Sequence, residues 1–212
     1  MATLVAPRDV GPLILDDVTW DFYDRILHEM GHGGTRMVYD QGRLEIMTVS
    51  SRHEQIKTAA ARILEFLAVE FDWPLGGLGN VTLRRRDLRI GLEPDECYCI
   101  VTPMPEASAE GLDLLSSPPP DMAIEVEVTK SSIGKLPLYA QIGVREVWRW
   151  TGTAFVVLER GADGEYHERA SSGLLPALSL EMLSEWTSHA LDVGQSVALR
   201  LLREKLRDGS PR

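Results

Sequence analysis

The stretch PPPDMAIEVEVTKSSIGK, residues 118–135, limits the possible folds more than any other part of the chain. Side chains on a strand alternate faces. Met122, Ile124, Val126 and Val128 therefore share one side, and Asp121, Ala123, Glu125 and Glu127 share the other. The pattern predicts a strand with an apolar face against a core. Its acidic face is either solvated surface or the floor of a site. Polar-out alternation is ordinary on a one-sided antiparallel sheet. Glutamate is a poor strand former, however, and beside a helix-covered face the same carboxylates require a cation. The following IGKLPLYAQIG predicts a helix of about ten residues, with Pro137 in its first turn and Gly143 as its stop.

The surrounding patterns supply the rest of an α/β sheet with helices on its faces. TWDFYDRILHEMGHGG predicts a short amphipathic helix capped by Thr19 and closed by glycines. RMVYDQGRLEIMTV reads as a hairpin turning at Gln41-Gly42. The clearest helix is SSRHEQIKTAAARILEFLAVEFDWP. Ile56, Ala60, Ile63, Leu64, Leu67 and Phe71 form its apolar stripe, Ser51 and Glu54 a capping box, and Pro74 its end. Strands are expected around Val81–Arg84, Glu96–Val101 and Met122–Val128, then in REVWRW, where Trp148 and Trp150 read as core residues, and in AFVVLER, with a further short strand after GADGE. TPMPEASAEGLDLLSSPPP reads as a surface loop, and the tail from SLEMLSEW onward as two helical segments. No repeat or linker divides the 212 residues. The expectation is a single domain over 1–212, with a core at about 15–160 and a helical extension at 178–208.

Composition bounds the function classes. A hydrophobic content of 44% and a charged content of 25% are those of a soluble globular chain, and no apolar run approaches the length of a membrane span. The start carries neither a basic leader nor a sufficient apolar region, so no secretory signal is expected. Cys97 and Cys99, two apart on one strand, read as buried reduced thiols, and a cytoplasmic location follows. The net charge of −10 counts against non-specific adhesion to nucleic acid. LRRRDLR nevertheless gathers Arg84, Arg85, Arg86 and Arg89 within seven residues.

Chemistry is expected at the carboxylates. Asp95 stands at the mouth of an apolar strand, where a turn aspartate is the ordinary alternative. Glu125 and Glu127 lie on one face about 7 Å apart. Two or three such carboxylates with a substrate phosphate make the oxygen set that Mg²⁺ takes. Lys135 opens the next helix, whose first turn points back over the strand's end. An ammonium there would position a water and offset developing charge. Lys130, in the intervening loop, competes with it, and His53, beside Glu54, ranks below the carboxylates.

EPDECYCI, the whole of PPPDMAIEVEVTKSSIGKLPLYAQIGVREVWRW, and the hairpin plus SSRHEQ before the long helix together resemble a known family. It is the small bacterial "putative restriction endonuclease" domain family of the PD-(D/E)XK nuclease superfamily, and the resemblance runs from about Tyr39 to Trp150. It implies a restriction-endonuclease-like core, a central mixed sheet flanked by helices, and hydrolysis of DNA phosphodiesters that depends on Mg²⁺ or Mn²⁺. On this resemblance Asp95 and Glu125, with Glu127, hold the metal. Lys135 acts as the catalytic lysine, Arg84, Arg85, Arg86 and Arg89 grip DNA, and the chain works as a homodimer. Glu127 stands where the superfamily's lysine usually does, and its role stays open between third ligand, bystander and mark of lost activity. Two alternatives remain beside the nuclease: a silent nuclease-fold module that binds DNA or protein, and a phosphodiesterase acting on small nucleotides.

Overall fold

The structure is a computed structural model and describes residues 11–30, 35–108, 110–127 and 133–208. Lys130, Val128, the start of the chain and the glycines after the first helix lie outside the described residues.

Two six-stranded mixed sheets organise the chain. The first contains β1 (Leu13–Leu15), β2 (Thr35–Asp40), β3 (Arg43–Thr48), β5 (Leu83–Arg85), β6 (Ile90–Leu92) and β8 (Leu112–Asp113), in the order β1-β3-β2-β6-β5-β8. The second contains β4 (Gly76–Gly79), β7 (Glu96–Cys99), β9 (Met122–Val126), β10 (Glu146–Trp150), β11 (Phe155–Arg160) and β12 (Tyr166–Arg169), in the order β12-β11-β10-β9-β7-β4. The helices are α1 (Trp20–Met30), α2 (Ser51–Glu70), α3 (Lys135–Ile142), α4 (Leu180–Val193) and α5 (Gln195–Asp208). The predicted hairpin is β2–β3. Its turn residues Gln41 and Gly42 both take positive φ, 47° and 110°, the backbone a two-residue hairpin needs.

β9 and β10 are parallel, and α3 is the crossover between them. The two faces of β9 therefore meet different layers. Met122, Ile124 and Val126 pack with the α2 stripe, with Trp148 and Trp150, and with Leu183, Trp186, Ala198 and Leu202 of α4 and α5. Ala123 packs on the opposite side with Leu138, Tyr139 and Ile142 of α3, and with Val38, Leu83, Ile90 and Leu92 of the first sheet. A third cluster seats Tyr23 of α1 against Tyr39, their rings stacked with centroids 4.7 Å apart. The acidic side of β9 thus faces the seam between the sheets and is covered.

Several local expectations shift by a residue or fail. The N-cap of α2 is Ser50, whose hydroxyl accepts from His53 N at 3.2 Å; the cap is one residue earlier than the Ser51–Glu54 box. Phe71, the last member of the predicted stripe, lies past the helix end, is 46% exposed and stacks on Trp73. β1, β4, β6 and β8 are not visible as strands in the sequence. They have two to four residues each, β4 is three-quarters glycine, and their ladders come from neighbours rather than from propensity. Pro137 in the first turn of α3 and Gly143 in the left-handed C-cap are as expected. Cys97 and Cys99 are free and buried. No helix of the described residues is long and apolar enough to cross a membrane.

Asp121 does not belong to the acidic face. Its Oδ2 accepts from the backbone N–H groups of Ile100, Val101 and Thr102 at 2.7–2.9 Å, and its Oδ1 from the Thr102 hydroxyl. Burial works to raise the Asp121 carboxyl, but these donors outweigh it and hold the group below the ordinary carboxylate range. The folded chain therefore binds this proton less tightly than the unfolded chain. The stabilisation is complete above the ordinary carboxylate value and disappears as pH falls through the lowered folded value. Asp121→Ala is expected to cost about 3 kcal/mol near neutral pH, since three amides lose their acceptor. Urea midpoints should show the gap between wild type and Asp121→Ala narrowing from pH 7 to pH 3.

Candidate active site

Sheet register assembles the site. Glu96 pairs with Ile124 and Cys97 with Ala123 in the antiparallel β7–β9 ladder. Continuing that register by one residue sets Asp95 beside Glu125. In the parallel β9–β10 ladder Glu125 pairs with Arg149. Asp95, Glu125 and Arg149 therefore form a row across three adjacent strands on the face that meets the seam, with neighbours about 5 Å apart.

α3 lowers a cation onto this row. The Lys135 ammonium donates to both Glu125 oxygens, at 2.9 and 2.8 Å, and to the carbonyl of Glu93 at 3.1 Å. Tyr139, one turn further along the same helix face, donates its hydroxyl to Glu125 Oε1. The side chains of Glu125 and Lys135 are each only 14% exposed. Burial pushes the Glu125 carboxyl up, Lys135 opposes the rise, and the Asp95 charge adds to it. Burial disfavours the Lys135 cation, but the charges of Glu125 and Asp95 outweigh that and hold it above its ordinary value. It remains an ammonium at neutral pH.

Asp95 is 3% exposed, and its Oδ2 accepts from Val126 N at 2.7 Å and faces His53 Nε2 at 2.9 Å. Burial opposes the Asp95 charge, but the His53 hydrogen bond and then the Lys135 charge prevail, and the carboxyl sits below its ordinary value. Facing an ionised carboxylate, His53 Nε2 must carry the proton. Its Nδ1 is buried without a hydrogen-bond partner, since Glu54 Oε1 is 3.6 Å away. Ser50 fixes the first turn of α2 and with it the entry of His53.

Asp95, Glu125, Lys135, His53 and Tyr139 line one cavity of about 550 Å³, with Arg36, Glu127 and Arg149 in the same lining and Met47, Val49, Ile133, Leu136 and Val147 as apolar wall. Glu127 is separate from the buried pair. It is 49% exposed, and its Oε1 lies 3.0 Å from Arg149 Nε. Among the described residues no group of three or more His, Cys, Asp or Glu side chains is set to hold a metal. The two inner carboxylates still fit a hard divalent ion, which commonly takes one or two carboxylates and completes its shell with water and substrate phosphate.

The arginine cluster lies elsewhere. Arg84 pairs with Asp24 and lies over the Trp20 ring; Arg85 pairs with Asp87, Arg86 with Asp21, and Arg89 donates to the Tyr39 hydroxyl. None of the four lines the cavity. His53, ranked below the carboxylates, meets Asp95 directly, and Arg36, Tyr139 and Arg149 join the lining without a strong signal in the sequence. Tyr139 carries a faint signal, four residues after Lys135 on a helix. Arg149 carries another, on the face of REVWRW opposite its tryptophans. Arg36 carries none, because its place at the site depends on how the two sheets meet.

Residues 20–194 match the model of the Uma2 family, described as "Putative restriction endonuclease". Among solved structures the chain is similar to a "putative nuclease belonging to DUF820" from Anabaena variabilis, at 15% identity and a TM-score of 0.54, over 80% of this chain and 99% of that one. At that identity the likeness shows the fold alone. No curated protein matches the chain.

Removing the Lys135 ammonium should shift protons rather than merely loosen packing. In Lys135→Met, Glu125 is expected to rise further, because the charge that opposes its rise is gone. Asp95 should rise less, because His53 and the Val126 amide remain. Carboxyl ¹³C titrations resolve the two groups, and an unmoved Glu125 midpoint would refute the pairing. The unpartnered carboxylate should lower stability by about 3–5 kcal/mol in urea.

Proposed function

The chain belongs to the Uma2 family of "Putative restriction endonuclease" proteins, and from that premise we propose that it is a divalent-metal-dependent endonuclease acting on DNA phosphodiesters. The observation that carries the proposal is the convergence of Asp95, Glu125 and Lys135, from three separate elements, on one cavity. Buried carboxylates without a task are costly, whereas two of them beside an ammonium form a site for metal-assisted phosphoryl chemistry. Mg²⁺ or Mn²⁺ held by Asp95 and Glu125 would supply Lewis-acid polarisation and an activated water.

The chain's own groups have distinct tasks. His53 and the Val126 amide fix the orientation of Asp95 and keep it ionised. Tyr139 and Lys135 orient Glu125 and oppose the rise that burial imposes on its carboxyl. Lys135 also brings a permanent positive charge to the place where the pentacoordinate phosphorus gathers negative charge, and orients the attacking water. Glu127, at the rim and tied to Arg149, is outside this inner set, and Lys135 rather than a residue at 127 carries the lysine's task.

A second reading, a catalytically silent nuclease-fold module, draws on the glutamate at 127 and on the lack of a three-ligand group among the described residues. Calorimetric titration separates the two: heat on adding millimolar Mg²⁺ or Mn²⁺ supports the enzyme, and an intact fold that takes up neither supports the module. On the leading proposal, Mg²⁺- or Mn²⁺-dependent nicking of plasmid is expected. Asp95→Ala and Glu125→Ala should abolish it, and Lys135→Ala should lower kcat by about 10²–10³-fold. Nicking that persists in both carboxylate variants would sink the assignment.

A further inference from the structure

The four arginines expected to hold DNA are engaged away from the cavity, yet a phosphodiester arriving there needs cationic donors. Two other arginines line the cavity, one from each sheet: Arg36 on β2 and Arg149 on β10. Arg36 is only 6% exposed. Its Nη2 donates to Glu54 Oε1 at 3.2 Å and its Nη1 to the Thr35 carbonyl at 3.4 Å, but its Nε is buried with no partner. Arg149 stands in register beside Glu125. Its Nε lies 3.0 Å from Glu127 Oε1 without making an aligned hydrogen bond, so that buried N–H is also unspent. A buried donor lacking an acceptor is costly, and guanidinium groups match phosphate oxygens in both charge and fork geometry.

Charge points the same way. The chain carries −10 overall, but Arg36, Lys135 and Arg149 offset Asp95, Glu125 and Glu127 in the described lining of the cavity. An anion that the acidic exterior repels meets a locally neutral pocket, which any bound divalent ion makes positive.

We propose that Arg36 and Arg149 are the phosphate clamp of this site, gripping non-bridging oxygens of the substrate phosphodiester in place of Arg84, Arg85, Arg86 and Arg89. The clamp rests on the nuclease reading for its ligand, a DNA strand, and adds the residues that hold it. Glu54 and Glu127 hold the two guanidinium groups at the cavity until phosphate arrives.

Binding of a fluorescein-labelled single-stranded oligonucleotide, followed by anisotropy with Ca²⁺ in place of Mg²⁺ and titrated with KCl, tests the clamp apart from turnover. Arg36→Gln and Arg149→Gln should each weaken binding about tenfold or more. Each should also flatten the dependence of log K on log salt by about 0.7, the share of one phosphate contact on a single strand. Arg86→Gln should change neither. Arg36→Lys keeps a charge beside Glu54, guards against misfolding, and should keep the wild-type slope while losing affinity. A merely structural role for Arg36 would not separate slope from affinity in this way. Arginine-dependent binding of a chromogenic phosphodiester but not of the oligonucleotide would support the clamp and make a small diester its source. If the wild type nicks plasmid while both Gln variants, shown folded by circular dichroism, keep its slope, the clamp is overturned and the nuclease reading stands. A wild type that binds neither probe overturns the clamp, and one that also fails to nick plasmid overturns the nuclease reading with it.

Discussion

The fold depends on a carboxylate that would be intolerable without its partner. Glu125 sits in the middle of a sheet, in the seam where a second sheet and a helix close over it, and both of its oxygens meet the Lys135 ammonium. An unpaired charge at that depth would take up a proton or open the seam. The crossover topology opposes both outcomes. β9 delivers the glutamate, and the first turn of α3 brings the lysine back over the strand it followed. Tyr139 one turn later adds its hydroxyl, so a single helix face supplies both donors. A parallel crossover returns the chain to its own sheet, and here it also brings the charges together.

Around this pair, ladder register arranges everything else. Three carboxylates alternate along β9 and its flanks, and each has a different fate. Asp121, before the strand, is consumed in capping the turn that follows β7. Glu125 occupies the seam. Glu127, just past the strand's end, emerges toward solvent and meets Arg149 of β10. The neighbouring strands extend the middle position sideways, with Asp95 on one flank and Arg149 on the other. The network then continues beyond the sheet, from Asp95 through His53 toward Glu54 and on to Arg36. Charges that look scattered over more than a hundred residues form one connected group.

This arrangement reconciles an acidic chain with an anionic ligand. Most of its carboxylates are solvated, and the arginines that draw the eye in LRRRDLR are spent on aspartates of α1 and on the neighbouring Asp87. Arg84 and Arg86 join the first helix to the β5 side of the first sheet, while Arg85 closes on its own turn and Arg89 donates to Tyr39, all structural tasks. Of the described cations in the cavity lining, Arg36 and Lys135 are nearly buried and Arg149 is partly exposed, so the first two act in a less polar medium, where one charge counts for more than several on the surface.

The sequence by itself determined the periodic elements and the chemistry of single positions. The α2 stripe, the Gln41-Gly42 hairpin, the two-faced strand at 122–126, the early proline and final glycine of α3, and the tryptophans of β10 are all local consequences of side-chain spacing and turn preference. Asp95, Glu125 and Lys135 could be singled out because each breaks such a pattern: a carboxylate at the mouth of an apolar strand, a glutamate within one, a lysine where a helix begins. The tertiary structure alone decided which of these meet. Strand order and register are set by hydrogen bonds between distant segments, so the split of the acidic face into a cap, a floor and a rim has no local signature. The same holds for the short strands β1, β4, β6 and β8, which exist only because a neighbour pairs with them. It holds most for His53, Arg36 and Arg149. Each lies within or beside a pattern that already explains it, and each gains a place at the cavity only when two sheets and a helix terminus close around the same buried charges.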